Sequence, residues 1–276
     1  MAILGKINPL KVVKDVEFGV YLDGGSDGEI LMPRRYVPEN CQIGDVVKAF
    51  IYNDSEDRLI ATTEIPFVQV GEFACLEVVE VNEIGAFLDW GLVKNLMVPF
   101  REQKLKMQEG RRYPVFVYVD FDSQRITASA KIEKFVDEGE PELEVGQEVD
   151  LLVYKKTDLG WKAVINQQYT GMLYDNELFQ TIYTGDLLKG FVKQIRPDFK
   201  IDLMLQKPGF EKIDDFSIRL HEELKAADGF LPFTDKSPAE DLYNRFGVSK
   251  KTFKKAVGDL YKKRMITLEE GGMRLV

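Results

Sequence analysis

Three successive segments of the chain share one order of glycines, strand-like alternation and basic residues, and this internal repeat restricts the fold more than any other feature. The first copy contains FGVYLD, GEILMP, IGDVVKAFIYND and DRLIATTE, and the second contains IGAFLD, KNLMVP, EGRRYPVFVYVD and QRITASAK. The third contains LGWKAV, YTGMLY, TGDLLKGFVKQI and FKIDLMLQ. Two sets of glycines recur at the same offsets of 66 and 75 residues: Gly19, Gly85 and Gly160, and Gly44, Gly110 and Gly185. Because two independent landmarks agree, we infer three copies of one structural unit.

Each copy is predicted to form five short strands, because β-branched and aromatic residues alternate over runs that end at Gly, Asp or Pro. In the first copy these runs cover residues 4–13, 20–23, 30–33, 46–53 and 59–63. Five strands in so few residues leave open sheet edges unless the sheet closes, which favours a small OB-type barrel. A set of sandwich domains is the alternative. The segment PRRYVPENCQIGD fits the longer connection across the end of a barrel.

The distribution of charge matters more than the net charge of −9, which by itself argues against nucleic acid. Residues 133–144, EKFVDEGEPELE, carry a net charge of −5 and are predicted to be an acidic, solvated linker. The three predicted barrels carry −4 over residues 1–66, −1 over residues 67–132 and 0 over residues 145–208, and residues 209–276 carry +1. Local surfaces of these domains can therefore be basic.

Several classes of protein are made improbable by what the sequence lacks. MAILGKINPLK has no signal-peptide pattern, and no apolar run approaches the ~18 residues of a membrane span, so we expect a cytoplasmic protein. Cys41 and Cys75 fall in different predicted barrels and are expected to be buried thiols. His221 is the single histidine, and neither a phosphate-binding glycine loop nor a nucleophile motif occurs. We expect no metal site, no cofactor and no enzymatic activity.

The C-terminal region changes to helical periodicity, with Phe216, Leu220 and Leu224 on one face of a first helix. Ser237 and Ser249 are predicted to cap a second and a third helix, and ITLEE, GG and MRLV then form a hairpin. This order predicts a winged-helix domain. Residues 245–264 contain eight basic residues and one acidic residue, so we expect the third helix to contact nucleic acid, with a merely solvated face as the alternative. The basic face consists of Lys250, Lys251, Lys254, Lys255 and Lys262.

The repeated pattern, a glycine within the second strand, an apolar third strand ending near Pro, and a basic residue opening the fifth, resembles the S1-type RNA-binding domain. The C-terminal stretch GFLPFTDKSPAEDLYNRFGVSKKTFKKAVGDLYKKRMITLEEGGMRL, following three such units, resembles conserved virulence factor B, a bacterial family of S1-domain proteins with a terminal winged helix. The resemblance covers nearly the whole chain. It implies OB barrels that bind RNA and an effect on gene expression after transcription.

The resemblance also places candidate RNA-binding residues on the second, third and fifth strands, where OB barrels stack bases on aromatic rings. These positions hold Phe18, Tyr21, Leu31 and Arg58 in the first copy, Ile84, Phe87, Met97 and Arg125 in the second, and Leu159, Lys162, Tyr174 and Lys200 in the third. No copy keeps a full aromatic set, and the histidine frequent on the third strand of the family is absent from all three. On the long loops, Arg34, Arg35 and Arg101 are candidate backbone contacts, with solvated loops as the alternative.

Three functions remain open on this basis. The leading prediction is a protein that binds single-stranded RNA through three barrels and a basic winged helix. The second is a transcription regulator that binds duplex DNA through the winged helix. The third is a protein-interaction scaffold that uses the same basic and aromatic surfaces.

Overall fold

The computed structural model describes residues 1–178, 180–205 and 213–276 and contains three five-stranded barrels followed by a small helical domain. The first barrel is closed, with strand order β1-β2-β3-β5-β4. Its strands are β1 (Ile7–Val16), β2 (Gly19–Asp23), β3 (Glu29–Pro33), β4 (Val46–Asn53) and β5 (Leu59–Thr62). The predicted barrel is therefore confirmed and the sandwich alternative is excluded.

The second and third units repeat this arrangement. In the second, the sheet order is β10-β9-β6-β7-β8, and β8 and β10 lie side by side across the gap, so the barrel is nearly closed. Its strands are β6 (Phe73–Val81), β7 (Gly85–Asp89), β8 (Leu96–Pro99), β9 (Arg112–Val119) and β10 (Ile126–Ser129). The third barrel is closed, and its strands are β11 (Glu148–Thr157), β12 (Gly160–Ile165), β13 (Tyr169–Tyr174), β14 (Leu187–Ile195) and β15 (Ile201–Met204).

The first set of repeated glycines opens the second strand of each barrel, where the third strand passes too closely for a side chain. A Cβ atom on Gly85 would lie 2.4 Å from the carbonyl oxygen of Val98. The corresponding distances are 2.2 Å for Gly19 and 2.0 Å for Gly160. The glycines of this set therefore recur because the second and third strands of each barrel can pair only if that position has no side chain.

The barrels pack directly against one another. Phe50 and Tyr52 of β4 point away from the first barrel and join the core of the second, where the rings of Phe50 and Trp90 are 5.6 Å apart. Between the second and third barrels, the side-chain amide of Gln167 accepts the backbone N–H of Phe73 and donates to its carbonyl. Such packing buries apolar surface that isolated barrels would expose.

The acidic linker is solvated over only part of its length, which corrects the prediction for residues 133–144. The ring of Phe135 lies 4.4 Å from that of Phe116 of the second barrel, and Leu143 packs against the third core. Residues 137–140 are exposed. The apolar residues within the segment anchor it, because they bury their side chains between the two barrels.

Glu102 fastens the start of this linker to the second barrel. Its side chain is only 11% exposed, accepts the Ser129 hydroxyl at 2.6 Å and pairs with Lys134 at 3.1 Å. Burial alone would raise the pKa of Glu102, but these two partners outweigh burial and hold the pKa below its usual range.

Glu102→Gln is expected to reduce stability by about 1 to 2 kcal/mol at neutral pH, because the variant loses charge-assisted hydrogen bonds. A carboxyl whose folded-state pKa is lowered stabilises the fold above its unfolded pKa of about 4.3, and this contribution disappears as the pH falls further. Urea unfolding of the variant and the natural protein should therefore converge in acid. Glu39→Gln, at an exposed position, serves as the control and should change nothing. A difference that is independent of pH would contradict the assignment.

The C-terminal domain combines three helices with a three-stranded sheet of order β16-β18-β17. Phe216, Leu220 and Leu224 are buried in its core, as predicted. Ser249 caps the third helix by accepting the Thr252 N–H, but Ser237 caps nothing, because its hydroxyl accepts the N–H of Thr234 in the preceding turn. The elements are α1 (Ile213–Ala226), β16 (Phe230–Leu231), α2 (Ala239–Phe246), α3 (Lys250–Lys262), β17 (Ile266–Glu269) and β18 (Gly272–Leu275).

Cys41 and Cys75 are free thiols, and both are half-buried where full burial was predicted. His221 is half-buried on α1. Within the described parts of the chain, no helix has the length and apolar character that crossing a membrane requires.

Candidate nucleic-acid interface

The second barrel brings its four predicted positions together in one cleft of about 150 Å³. Phe87 on β7 is paired with Met97 on β8, and both side chains lie on the outer face because their neighbours Ala86 and Leu88 fill the core. Ile84 and Arg125 complete the predicted set. The strand alternation thus places an aromatic ring, two apolar side chains and a cation around one opening.

The first barrel supplies a second wall of this cleft. Tyr52 and Asn53, at the end of β4, line it together with the residues of β7 and β8. Burial first, and the neighbouring Tyr36 second, raise the pKa of Tyr52 to about 12, so its hydroxyl keeps its proton at neutral pH. The cleft is therefore a composite of two barrels and is lined by two aromatic residues besides Phe87: Tyr52 and Trp90.

Two cations at the rim of the cleft are engaged with the β4–β5 turn of the first barrel. Lys94 donates to the carbonyl oxygen of Asp54 at 2.6 Å, and Arg125 forms an ion pair with Asp57. Burial lowers the pKa of Lys94, although the nearby carboxylate of Asp57 opposes this effect. These contacts hold the two barrels in register around the cleft.

The first barrel presents an aromatic platform on its own outer face. Phe18 is 59% exposed, and its ring meets that of Tyr21 edge-on at 6.4 Å. The ammonium of Lys14 lies 5.3 Å from the centre of the Tyr21 ring, close enough for a cation–π contact. Phe18, Tyr21 and Phe87 all face outward, as the predicted RNA-contacting orientation requires; their contact with RNA stays a prediction.

Most of the predicted cations of the three barrels already have acidic partners. An exposed ion pair contributes only about 0 to 1 kcal/mol, so a phosphate can replace the carboxylate at little cost. This applies to Arg34 and Arg125, whose partners are exposed, more than to Arg101, whose partner Asp120 is largely buried. Arg58 has one partner of each kind, the largely buried Asp54 and the exposed Glu56. Arg35 instead lies over the ring of Tyr36 at 4.6 Å. The pairs are Arg34 with Asp15, Arg58 with Asp54 and Glu56, Arg101 with Asp120, Arg125 with Asp57, and Lys200 with Asp198.

The third barrel has a cleft of about 540 Å³, larger than that of the second barrel, and the predicted positions of its repeat also lie together in it. Tyr174 is fixed by Asp202, which accepts its hydroxyl at 3.2 Å and pairs with Arg196 at 2.9 Å. Leu159, Lys162 and Lys200 also line the cleft. Trp161, on the opposite side of β12, is partly buried against the core. The exposed linker carboxylates of Asp137 and Glu138 line the cleft as well, so its cations face an acidic wall.

On the winged helix, α3 buries Phe253, Val257 and Leu260 and exposes most of the predicted lysines. Lys251, Lys254, Lys255 and Lys262 are exposed, whereas Lys250 is half-buried and donates to the carbonyl oxygen of Lys236. Beside α3, the tip of the β17–β18 hairpin carries Glu269 and Glu270. The surface thus combines a basic helix with an acidic wing.

Several residues of these clefts were not among the sequence predictions. Tyr52 and Trp90 belong to apolar runs that, in the sequence, indicate only the buried core of a strand. Arg196 and Phe199 lie at the turn between β14 and β15, where no residue pattern marks a binding position. The one sequence signal for Tyr52 is the unbroken run AFIY at residues 49–52, which departs from strict alternation and indicates burial on both strand faces.

The chain is similar to known domain families and to several known proteins. The family described as "S1 domain" matches residues 4–64 and 70–131, and that described as "CvfB-like winged helix domain" matches residues 219–275. YitL of Bacillus subtilis is 27% identical over 273 residues, which cover 95% of this chain and 90% of that protein. Conserved virulence factor B of Staphylococcus epidermidis is 24% identical, over 99% of this chain and 95% of its own. A crystal structure of a multidomain protein with nucleic acid binding domains from Streptococcus pneumoniae covers 99% of this chain and 98% of its own, with 23% identity and a TM-score of 0.43.

The barrels, their outward aromatic clefts and the matched domains define a class: a multi-barrel protein with S1 domains and a C-terminal winged helix. Within this class, the chain belongs to the conserved virulence factor B family. The resemblance predicted from the sequence is thereby confirmed.

Proposed function

We propose that this protein binds single-stranded RNA, catalyses no reaction itself and regulates gene expression after transcription. The observation that carries the proposal is the composite cleft of the second barrel, where Phe87, Met97 and Arg125 lie together on the outer face. An aromatic ring beside a cation suits a base and its phosphate, since each base stacked on an aromatic ring contributes about 1 to 3 kcal/mol.

The direct packing of the barrels favours binding of one strand by more than one barrel. Modules that are already fixed relative to each other lose less conformational freedom on binding than modules on a flexible tether. The interfaces at Phe50 and at Gln167 provide this fixation. Weak individual clefts can therefore add up to a useful affinity, although no barrel has the complete aromatic set.

The winged helix supports single-stranded RNA as the ligand better than duplex DNA. The lysines of α3 attract phosphates of either nucleic acid. Duplex binding would bring a second line of phosphates towards the wing, where Glu270 at the hairpin tip is exposed and Glu269 pairs with Arg274. Carboxylates at that place oppose a phosphate backbone, so we assign α3 a supporting role in binding RNA.

The proposal is tested by titrating a fluorescent single-stranded RNA of about 20 nucleotides with the full protein at two salt concentrations. Single-stranded DNA of the same sequence and a duplex serve as competitors. We expect saturable binding that prefers RNA and weakens with salt, with a slope of about 0.7 per phosphate neutralised. Absence of binding at low salt would overturn the proposal and leave the protein-interaction scaffold standing, whereas preference for the duplex would favour the DNA-binding regulator.

A further inference from the structure

The turn between β14 and β15 carries an aromatic residue, Phe199, at the edge of the third cleft. Its side chain is 44% exposed and lines that cleft together with Lys162 and Tyr174. The turn is closed by two backbone hydrogen bonds of 2.9 Å, from Arg196 to the carbonyl of Lys200 and from Phe199 to the carbonyl of Arg196. The position of the ring is thus set by an ordered turn.

Phe199 adopts a backbone conformation that is unfavourable for its residue type. Its φ of +60° lies in the left-handed region, which Asn and Asp tolerate but bulky residues rarely adopt. The corresponding turn positions of the other barrels are also left-handed, but they hold the polar residues Asp57 and Gln124. A strained residue that stability alone would not favour points to a role in binding.

The third barrel lacks an aromatic residue where the other two have one. Tyr21 and Phe87 occupy the outer face of the second strand in the first and second barrels, and Lys162 occupies the same position on β12. Among the described residues, Lys162 has no ion-pair partner. The third cleft therefore offers an unpaired cation on the strand and a ring on the turn.

We propose that Phe199 is the base-stacking platform of the third barrel and that Lys162 holds the neighbouring phosphate of the same RNA strand. In this barrel the stacking ring lies on the turn between the fourth and fifth strands, and the second strand has none on its outer face. OB barrels use this turn to bind oligonucleotides. This inference rests on the proposed function and extends it to a residue outside the strand pattern.

The test compares two substitutions of Phe199 in the full protein, with the RNA titration described above. Phe199→Asn should weaken binding about tenfold through loss of the stacking surface. Its midpoint of thermal unfolding should be unchanged or higher, because Asn adopts the left-handed conformation more readily. Phe199→Trp should bind within about twofold of the natural protein, since it keeps an aromatic face. Lys162→Ala should lower the slope of log affinity against log salt by about 0.7.

Gln124→Asn is the matched control, because it changes the equivalent left-handed position of the second barrel without removing a ring. It should leave affinity unchanged. If the natural protein binds RNA and Phe199→Asn binds it equally tightly, this inference is overturned and the proposed function stays intact. Equal losses in the Asn and Trp variants would also overturn it, since stacking would then not be the cause. Failure of the natural protein to bind RNA would overturn both.

Discussion

Replacement of Phe87 by Ala is expected to weaken binding of single-stranded RNA by the full protein about 10- to 100-fold, which corresponds to the loss of one well-formed base stack. The effect should be large because the ring of Phe87 is presented in a cleft that already exists, between Met97 and the wall formed by Tyr52. Fluorescence anisotropy with the labelled RNA measures the change directly. The midpoint of thermal unfolding should move little, since Phe87 lies on the outer face of the barrel.

Leu105→Ala provides the control for this prediction. Leu105 belongs to the same barrel, on the connection between β8 and β9, and is 80% exposed, but it does not line the cleft. Its removal should change affinity by no more than about twofold, as is usual for a surface substitution. An unchanged affinity in Phe87→Ala would contradict the assignment of the cleft, and an equal loss in both variants would show that binding is not localised there.

The barrels could be predicted from sequence because their signals are local. Glycines at a close strand crossing, such as Gly19 and Gly160, and alternation along each strand are set by the residues of a single repeat. The same holds for the buried face of α1 and for the Ser249 cap. Strand β16 was not predicted, because two residues are too few to show the alternation of apolar and polar residues that marks a strand.

The interfaces between barrels could not be predicted with the same certainty. Alternation distinguishes the two faces of a strand, but it does not show whether the outer face meets water or another domain. Phe50 and Tyr52 of β4 and Tyr154 of β11 are buried on such outer faces. The ion pair of Arg125 with Asp57 joins residues 68 positions apart, so only the fold reveals that this cation is engaged.

The clefts of the second and third barrels differ in the charge of the residues that line them. Asp137 and Glu138 line the third cleft opposite Lys162, whereas the second cleft has Arg125 and Lys94 at its rim. The acidic wall weakens the attraction of Lys162 for a phosphate in the third cleft, whereas two cations at the rim of the second cleft attract phosphates. We therefore expect the second barrel to contribute more to the affinity than the third.

Gly85→Ala is expected to destabilise the second barrel by about 2 to 3 kcal/mol, the upper range for an overpacked site. The added Cβ would lie 2.4 Å from the carbonyl oxygen of Val98 and 3.1 Å from the Cα of Pro99, and both are backbone atoms of the paired strand β8. Relief requires β7 and β8 to separate, and these strands carry Phe87 and Met97. Faster hydrogen exchange in peptides from β7 and β8, together with weaker RNA binding, is the expected measurement.

Gly258→Ala tests whether this effect comes from the crossing and not from the loss of a glycine as such. Gly258 lies inside α3, and a Cβ at that position would meet no atom within 4 Å. The same change should therefore stabilise the winged helix by about 1 kcal/mol through helix propensity, with slower exchange in α3. If Gly→Ala lowers stability at position 85 and raises it at position 258, the repeated glycine is required because the two strands approach closely. Destabilisation of similar size at both positions would instead show that the cost is not specific to the crossing, and normal exchange in β7 and β8 would contradict the close approach itself.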